Sequence, residues 1–297
     1  MELFKKVTNI DFMGLRLGTA ILSSILFLAS ILSLYFNGLN WGLDFTGGTQ
    51  IQISFQQPVD IPQIRTELAQ TGFQEIVVQS YGTTKDVLIS VAPHKNINQQ
   101  QLATQILKVL PGATLKQVEF VGPQVGQELA NKGAMAVLIA LLGTMFYIAI
   151  RFEYRFAIGA AVALIHDPIL ILGIFSFWQV DFDITALVAV LTVIGYSLND
   201  TIVVFDRIRE LTKKHHSVPT VTLINAAVLE TMSRSINNSV TIILMLLSLS
   251  LLGGESIRWF AVALLIGSVT GTYSSTFTAV PLLLVWDDVV AWRKRRR

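Results

Sequence analysis

The sequence predicts a polytopic α-helical membrane protein, six transmembrane helices with one small α+β domain between the first and second spans. Three observations carry that prediction. The 297 residues are 52% hydrophobic and only 14% charged, far from the balance of a water-soluble domain. The apolar residues gather into long charge-poor runs instead of recurring with the period of a buried core. One long segment, residues 37 to 131, interrupts those runs with short alternating and helical patterns of its own.

Apolar stretches cover residues 17 to 36, 133 to 150, 156 to 179, 184 to 205, 235 to 253 and 259 to 286. Each approaches the roughly 20 residues that cross a hydrocarbon core of about 30 Å, and the last is long enough to tilt. The first is too long for the apolar region of a signal peptide. It runs into Asn37, Gly38, Leu39, Asn40 and Trp41 with no small-residue cleavage site, so it reads as a retained span. Orientation follows from lysine and arginine in short loops. Lys5, Lys6 and Arg16 precede the first span, Arg151 and Arg155 lie between the second and third, and Arg207, Arg209, Lys213 and Lys214 follow the fourth. Arg293, Lys294, Arg295, Arg296 and Arg297 follow the sixth, so both termini are expected in the cytoplasm. The opposite short loops hold Asp181 and Asp183 in one and Arg258 against Glu255 in the other.

The chain accordingly divides into four parts. They are a cytoplasmic N-terminus with the first span (1 to 36), an extracytoplasmic domain (37 to 131), a five-helix membrane bundle (132 to 286) with a cytoplasmic loop at 206 to 233, and a basic cytoplasmic tail (287 to 297). The tail reads as a topology signal in contact with membrane lipid. A net charge of +2 offers no patch for nucleic acid, and the absence of cysteine excludes disulfides, a thiol nucleophile and thiolate metal sites.

Within the extracytoplasmic segment, Gly47 to Phe55 alternates as a strand, and Ile61 to Thr71 has helical spacing beside Pro58 and Pro62. Glu75 to Ser80 and Asp86 to Ala92 are two more strands around Tyr81 and Gly82. Asn96 to Leu110 is an amphipathic helix stopped by Pro111 and Gly112, and Thr114 to Val121 closes the series as a strand. Strand, helix, strand, strand, helix, strand is the ferredoxin-like order, which predicts shape but not activity. Further on, Ser217 and Pro219 start a helix in which Val221, Ile224, Val228 and Met232 recur at three and four residues, expected on the cytoplasmic surface. His215 and His216 before it read as solvated, not metal-binding.

Any chemistry must come from polar groups inside the spans, because an ionisable side chain in hydrocarbon costs at least about 2.5 kcal/mol unless it faces protein, water or a partner. Asp200 falls well inside the fourth span, with Thr192, Tyr196 and Asn199 on the same expected stripe. Arg234 stands at the entry of the fifth span, followed on one face by Asn237, Asn238, Thr241 and Ser248. It matches Asp200 in sign and in approximate depth. Two readings follow, a static buried ion pair or a proton-coupling site whose acid changes protonation as the pair separates. His166 and Asp167 lie near the middle of the third span, followed by Pro168, which is expected to kink the helix. They read either as a hydrogen-bond anchor or as members of a proton relay. In the sixth span Gly267, Gly271, Ser275 and Ala279 repeat every four residues, a flat face for close helix packing or for sliding. No catalytic residue, metal site or cofactor is expected, with protons as the coupling ion.

At these residues a resemblance appears. TVIGYSLNDTIVVFDRIRE at Thr192 to Glu210 resembles the fourth-span signature of the SecD/SecF protein-export family, on its SecF branch. The likeness extends to GLDFTGGT at Gly42 to Thr49, FVGPQVGQEL at Phe120 to Leu129, His166 with Asp167, SRSINNS at Ser233 to Ser239, and GTYSS at Gly271 to Ser275. The resemblance implies a subunit in the resistance, nodulation and division superfamily that uses the proton-motive force to promote late stages of protein export. It implies a bacterial cytoplasmic (inner) membrane location, a SecD-like partner subunit, the SecYEG channel, YajC, and unfolded preprotein substrates. The family's proton-coupling acid falls on Asp200 and its arginine partner on Arg234. The chain departs from the family at Pro168, where an aliphatic residue is usual. Three other readings stand beside it: a small-molecule exporter subunit of the same superfamily, a purely structural assembly subunit, and an intramembrane aspartyl protease. About 95 residues is small for an exporter's porter domain. No GxGD context surrounds Asp167 or Asp200.

Overall fold

In a computed structural model of the chain, residues 11–70, 76–92, 99–215 and 217–286 are described. Lys5, Lys6, Glu75, Asn96, His216 and the basic tail lie outside the described residues. Six helices are long and apolar enough to span a bilayer. They are α1 (Arg16–Asn37), α5 (Pro123–Arg151), α6 (Tyr154–Trp178), α7 (Ile184–Lys214), α8 (Thr220–Leu252) and α9 (Glu255–Ser274). The last continues through a π-helical turn, Ser275–Ala279, so that the apolar stretch runs over Ile257–Trp286.

Burial ranks these helices by position. In α6, 61% of the apolar window is buried inside the chain, against 11% in α1 and in α5 and 17% in α8. Glycine helps explain the central place of α6: Gly159 admits Ala279 of the π-helical turn, and Gly173 admits Ser30 of α1, where any added Cβ would overlap the serine. α6 is helical throughout, with Pro168 buried inside it. The bundle core joins Phe156, Ile171 and Phe175 of α6 to Val193, Phe205 and Ile208 of α7 and to Val280 beyond α9.

The smaller layer lies between α1 and α5. After β1 (Asn40–Trp41) and α2 (Leu43–Thr46) come β2 (Gly48–Ser54), α3 (Ile61–Ala69), β3 (Ile76–Tyr81), β4 (Thr83–Val91), α4 (Gln99–Val109) and β5 (Thr114–Val121). Four strands pair antiparallel in the order β3-β4-β2-β5. Alternation along β2 sends Ile51 and Ile53 to one face, where Ile89, Ile64, Leu68 and Ile106 seal a core separate from the bundle. The other face carries Gln50 and Gln52.

Two connections tie this layer to the bundle. Gly47 (φ +68°) and Gly48 (φ +133°) make the turn out of α2 in left-handed backbone, and a Cβ on Gly47 would stand 2.9 Å from Pro123 Cα. The second is a two-residue parallel bridge between β1 and β6 (Asp181–Phe182), the loop that leads into α7. Gly42 N donates to Phe182 O at 3.0 Å, and Ile184 N donates to the Asp44 carboxylate at 3.0 Å. Trp41, Phe45, Phe175 and Phe182 pack edge-on or stacked around the bridge, with ring centroids 5.7 to 6.2 Å apart. The first turn of α7 is thereby fastened to the root of the sheet layer.

One expectation needs correction. The helix started by Pro219 is not a separate surface element. It continues without a break into the fifth span as the 33-residue α8, and Leu223, Ile224, Ala227 and Val228 are buried against the bundle. The polar run Ser233 to Ser239 contains no glycine or proline, so nothing interrupts the backbone hydrogen bonds. The helix that carries the apolar stretch at 133 to 150 begins earlier, at Pro123, a favoured first helical residue.

Candidate functional site

Two polar centres lie inside the bundle, one turn of α7 apart. The first is built on α6. Asp167 is 0% exposed and His166 4%. One oxygen of Asp167 accepts from Ser197 Oγ at 2.5 Å and from Ser274 Oγ at 2.7 Å. The other faces His166 Nδ1 at 3.0 Å. With Asp167 as a carboxylate it can only accept, so Nδ1 carries the proton. In the neutral imidazole His166 Nε2, 2.7 Å from Ser23 Oγ on α1, then accepts from that hydroxyl. Thr278 Oγ1 stands 3.3 Å from the same Ser23 Oγ, and Phe27 stacks on the imidazole with centroids 5.8 Å apart. A continuous hydrogen-bonded line therefore runs from α1 through α6 to α7 and α9.

The second centre is Asp200, 4% exposed, one turn along α7 from Ser197. The Ser235 hydroxyl of α8 stands beside its carboxylate. Its Oδ2 atom is buried with no hydrogen-bond partner among the described residues. Alongside, Tyr196 OH meets Ser239 Oγ at 3.0 Å, and Ser239 Oγ meets Thr272 Oγ1 at 2.6 Å, a second hydroxyl ladder across α7, α8 and α9.

The structure divides the residues that spacing placed together. Arg234 is exposed, and among the described residues no hydrogen bond or ion pair joins it to Asp200. Successive helix residues point about 100° apart, so when Ser235 faces Asp200 its neighbour Arg234 turns outward. The expected stripe on α7 splits for the same reason. Ser197, Asp200 and Thr201 face inward and are buried, Tyr196 is half-buried, and Thr192 and Asn199 are exposed. Asn237, Thr241 and Ser248 on α8 are exposed with Arg234. The small-residue face does meet neighbours: Gly267 lies against Val193, Gly271 against Ser197, and Ala279 against Gly159. Ser275 is 1% exposed within the π-helical turn.

Ser23, Ser197, Ser274, Ser235 and Thr278 belong to the site and were not anticipated. Serine and threonine in apolar helices usually bond their own backbone, so only the position of Ser197 three residues before Asp200 offered a signal.

A bundle of six membrane-length helices with two buried carboxylates, each beside serine hydroxyls of neighbouring helices, fits a membrane protein of the transport class. The particular kind is given by likeness. The sequence matches the protein export membrane protein SecD/SecF C-terminal family over residues 101–289 and the SecD/SecF GG motif over residues 32–59. It is 45% identical to the protein translocase subunit SecF of Magnetococcus marinus, over 97% of this chain and 95% of that one. It is 41% identical to the SecF of Pseudomonas aeruginosa, over 96% and 94%. The fold superposes on the crystal structure of SecDF, a translocon-associated membrane protein from Thermus thermophilus, with a TM-score of 0.89 and 32% identity. That superposition covers 96% of this chain and 40% of the longer SecDF chain. The chain therefore belongs to the SecD/SecF family of protein-export membrane proteins.

Proposed function

We propose that the chain is a Sec translocase accessory subunit that uses the proton-motive force to promote late stages of protein export, with Asp200 as the group that takes up and releases the proton. The observation that carries this reading is the buried Oδ2 of Asp200, which has no hydrogen-bond partner among the described residues, inside a helix long and apolar enough to cross a membrane. An uncompensated carboxylate there is costly, and protonation removes the charge. One proton crossing about 100 mV gains about 2.3 kcal/mol, enough to bias a two-state element nearly fifty-fold. The hydroxyl of Ser197, one turn away, links the Asp200 region to Asp167 and His166, which we read as relay members. Movement of α7 has a direct route outward, because its first turn is fastened to the sheet layer through Asp44, Gly42 and the β1–β6 bridge.

The strand order β3-β4-β2-β5, with α3 and α4 on one face, supports a ferredoxin-like domain lying outside the cytoplasmic membrane between the first two spans. The bacterial inner membrane and cytoplasmic termini follow from family and loop charge. Arg234, Asn237 and Thr241 lie on one polar face of α8 that the described residues leave exposed, and polar groups at bilayer depth need a partner. That face suits a SecD-like subunit, with Arg234 meeting an acid across the interface instead of Asp200. SecYEG, YajC and unfolded preproteins complete the assembly that the family implies.

The test uses membrane vesicles with and without an imposed proton gradient. Asp200→Asn keeps size and hydrogen bonding but cannot ionise. It is expected to assemble normally and lose gradient-stimulated export. A well-assembled Asp200→Asn complex with full stimulation refutes the proton role.

A further inference from the structure

A groove of about 470 Å³ opens on the outside of the bundle between α1, α6 and the run that continues α9. Its walls are Leu17 and Phe27 of α1, Val162 and Ile165 of α6, and Phe277 and Leu282 beyond α9. Leu17, Val162 and Ile165 are exposed, so nothing among the described residues covers them. Arg16 is the one charged side chain in the lining, and it stands at the end where α1 begins. It makes no salt bridge among the described residues. Asp11, five residues earlier, is held by Asn225 Nδ2 at 2.8 Å and by Gly14 N at 2.9 Å instead.

Length and volume decide what fits. From Arg16 to Phe27 α1 rises about 16 Å, at about 1.5 Å per residue. One leaflet of a hydrocarbon core of about 30 Å is about 15 Å deep. The groove therefore runs from the membrane surface to the bilayer middle, the course of a single lipid chain. A second helix does not fit, because a segment of that length and about 10 Å diameter fills roughly 1,200 Å³, more than twice the groove. The charged end agrees with a lipid. Leu15, before α1, supplies no capping side chain, so the first amides of the helix stay open to an anion beside the Arg16 guanidinium. By loop charge this end faces the cytoplasm.

We propose that this groove binds one anionic phospholipid of the cytoplasmic leaflet, with its phosphate on Arg16 and one acyl chain laid along α1 toward Phe27. Recognition comes from a cation at the surface and an apolar trough one leaflet deep behind it. A choline or ethanolamine headgroup brings its own cation beside Arg16, so a net-negative headgroup is favoured. The deep end has a consequence for the buried polar line. Phe27 stacks on His166, and Ser23 and His166 both border the groove, so a seated acyl chain keeps water from the Ser23–His166 hydrogen bond. The lipid site stands on the groove and its one cation, and does not depend on the translocase reading.

The test is photolabelling of the assembled complex in vesicles. The probe is phosphatidylglycerol with a diazirine midway along one acyl chain, and labelled peptides are identified by mass spectrometry. Label is expected in α1 and in the peptide holding Phe277 and Leu282, above the level on α5, which is as little buried as α1. A phosphatidylcholine probe should label these peptides about fivefold less, the ratio that about 1 kcal/mol per basic residue at an anionic surface gives. Arg16→Gln should lose that preference, and Arg16→Lys should keep it. Ala20→Trp, which fills the trough, should remove the label from both probes while the complex still copurifies. Equal labelling by the two probes overturns the proposal, as does label spread evenly over α1 and α5. Label on the lone chain that vanishes in the presence of the partner subunit also overturns it, since the partner then covers this face.

Discussion

Replacing Asp167 with leucine removes the acceptor from three buried donors at once: Ser197 Oγ, Ser274 Oγ and His166 Nδ1. Ser274 has a fallback, since it also reaches Gly271 O at 3.2 Å. Ser197 and His166 are left with the loss, and an unmade buried hydrogen bond costs about 1–3 kcal/mol. Relief from burying a carboxylate offsets part of it, leaving a net destabilisation of about 2–4 kcal/mol. Asparagine is different. Its amide oxygen accepts from both serines, and its NH2 faces His166, which remains neutral by moving its proton from Nδ1 to Nε2. Nε2 then donates to Ser23 Oγ, and Ser23 donates to Thr278, 3.3 Å away. Every neighbour is satisfied and only the second amide N–H of the asparagine lacks an acceptor, so Asp167→Asn should cost about 1 kcal/mol, well below leucine. In thermal unfolding of the detergent-purified complex the leucine variant should fall by about 5–10 °C and the asparagine variant by less than about 3 °C. Leucine as stable as the wild type refutes the accounting of donors. Export separates the two roles of the pair: with a relay, stable Asp167→Asn loses gradient stimulation, and with an anchor alone it keeps it.

Three further outcomes follow from packing and charge. Arg234→Met should reduce copurification of the SecD-like partner while leaving the folded bundle intact, because the guanidinium faces outward; unchanged partner recovery speaks against the interface. At Gly267 an added side chain overlaps Val193, so Gly267→Leu should prise α9 from α7, cost about 1–3 kcal/mol and lower steady-state levels, as an immunoblot of membranes would read. In the sheet layer the Lys116 ammonium, with the Ser54 and Thr83 hydroxyls, holds the Asp86 carboxyl down at about 2. A depressed carboxylate stabilises fully above its unfolded value near 4 and loses that contribution as pH falls through about 2. Because Lys116 is half exposed, Asp86→Asn should cost about 1 kcal/mol at pH 7, seen as faster hydrogen exchange in β4, with the gap from wild type closing toward pH 2.

The sheet layer was legible wherever a period of two met turn residues: β2 and β5 fall within a residue of the strands read at Gly47 to Phe55 and Thr114 to Val121. Hydropathy alone marked the six apolar helices. The β1–β6 bridge was not legible, since it joins residues 141 apart through two-residue strands and leaves no local pattern. The extent of α8 was hidden by Ser233 to Ser239, whose polarity resembles a surface boundary although nothing in it stops a helix.

The site shows the sharper limit. Sequence position gives depth along a helix closely, because each residue rises about 1.5 Å, but it gives azimuth only relative to neighbours on the same helix. Asp200 and Arg234 match in depth and sign, and that match said nothing about whether the two faces meet. They do not, because Ser235 occupies the facing position and Arg234 is displaced by one residue. The hydroxyls show the converse. Ser197 and Ser274 carry no charge or strong polarity to mark them, yet packing aims both at one oxygen of Asp167. The convergence of the hydroxyls has one cause, the close approach of α9 to α7 across Gly267 and Gly271. That approach brings Ser274 within reach of the acid of α6. The small-residue stripe was visible in the sequence as a packing face, and its deeper consequence is that it sets which hydroxyls surround the buried charge.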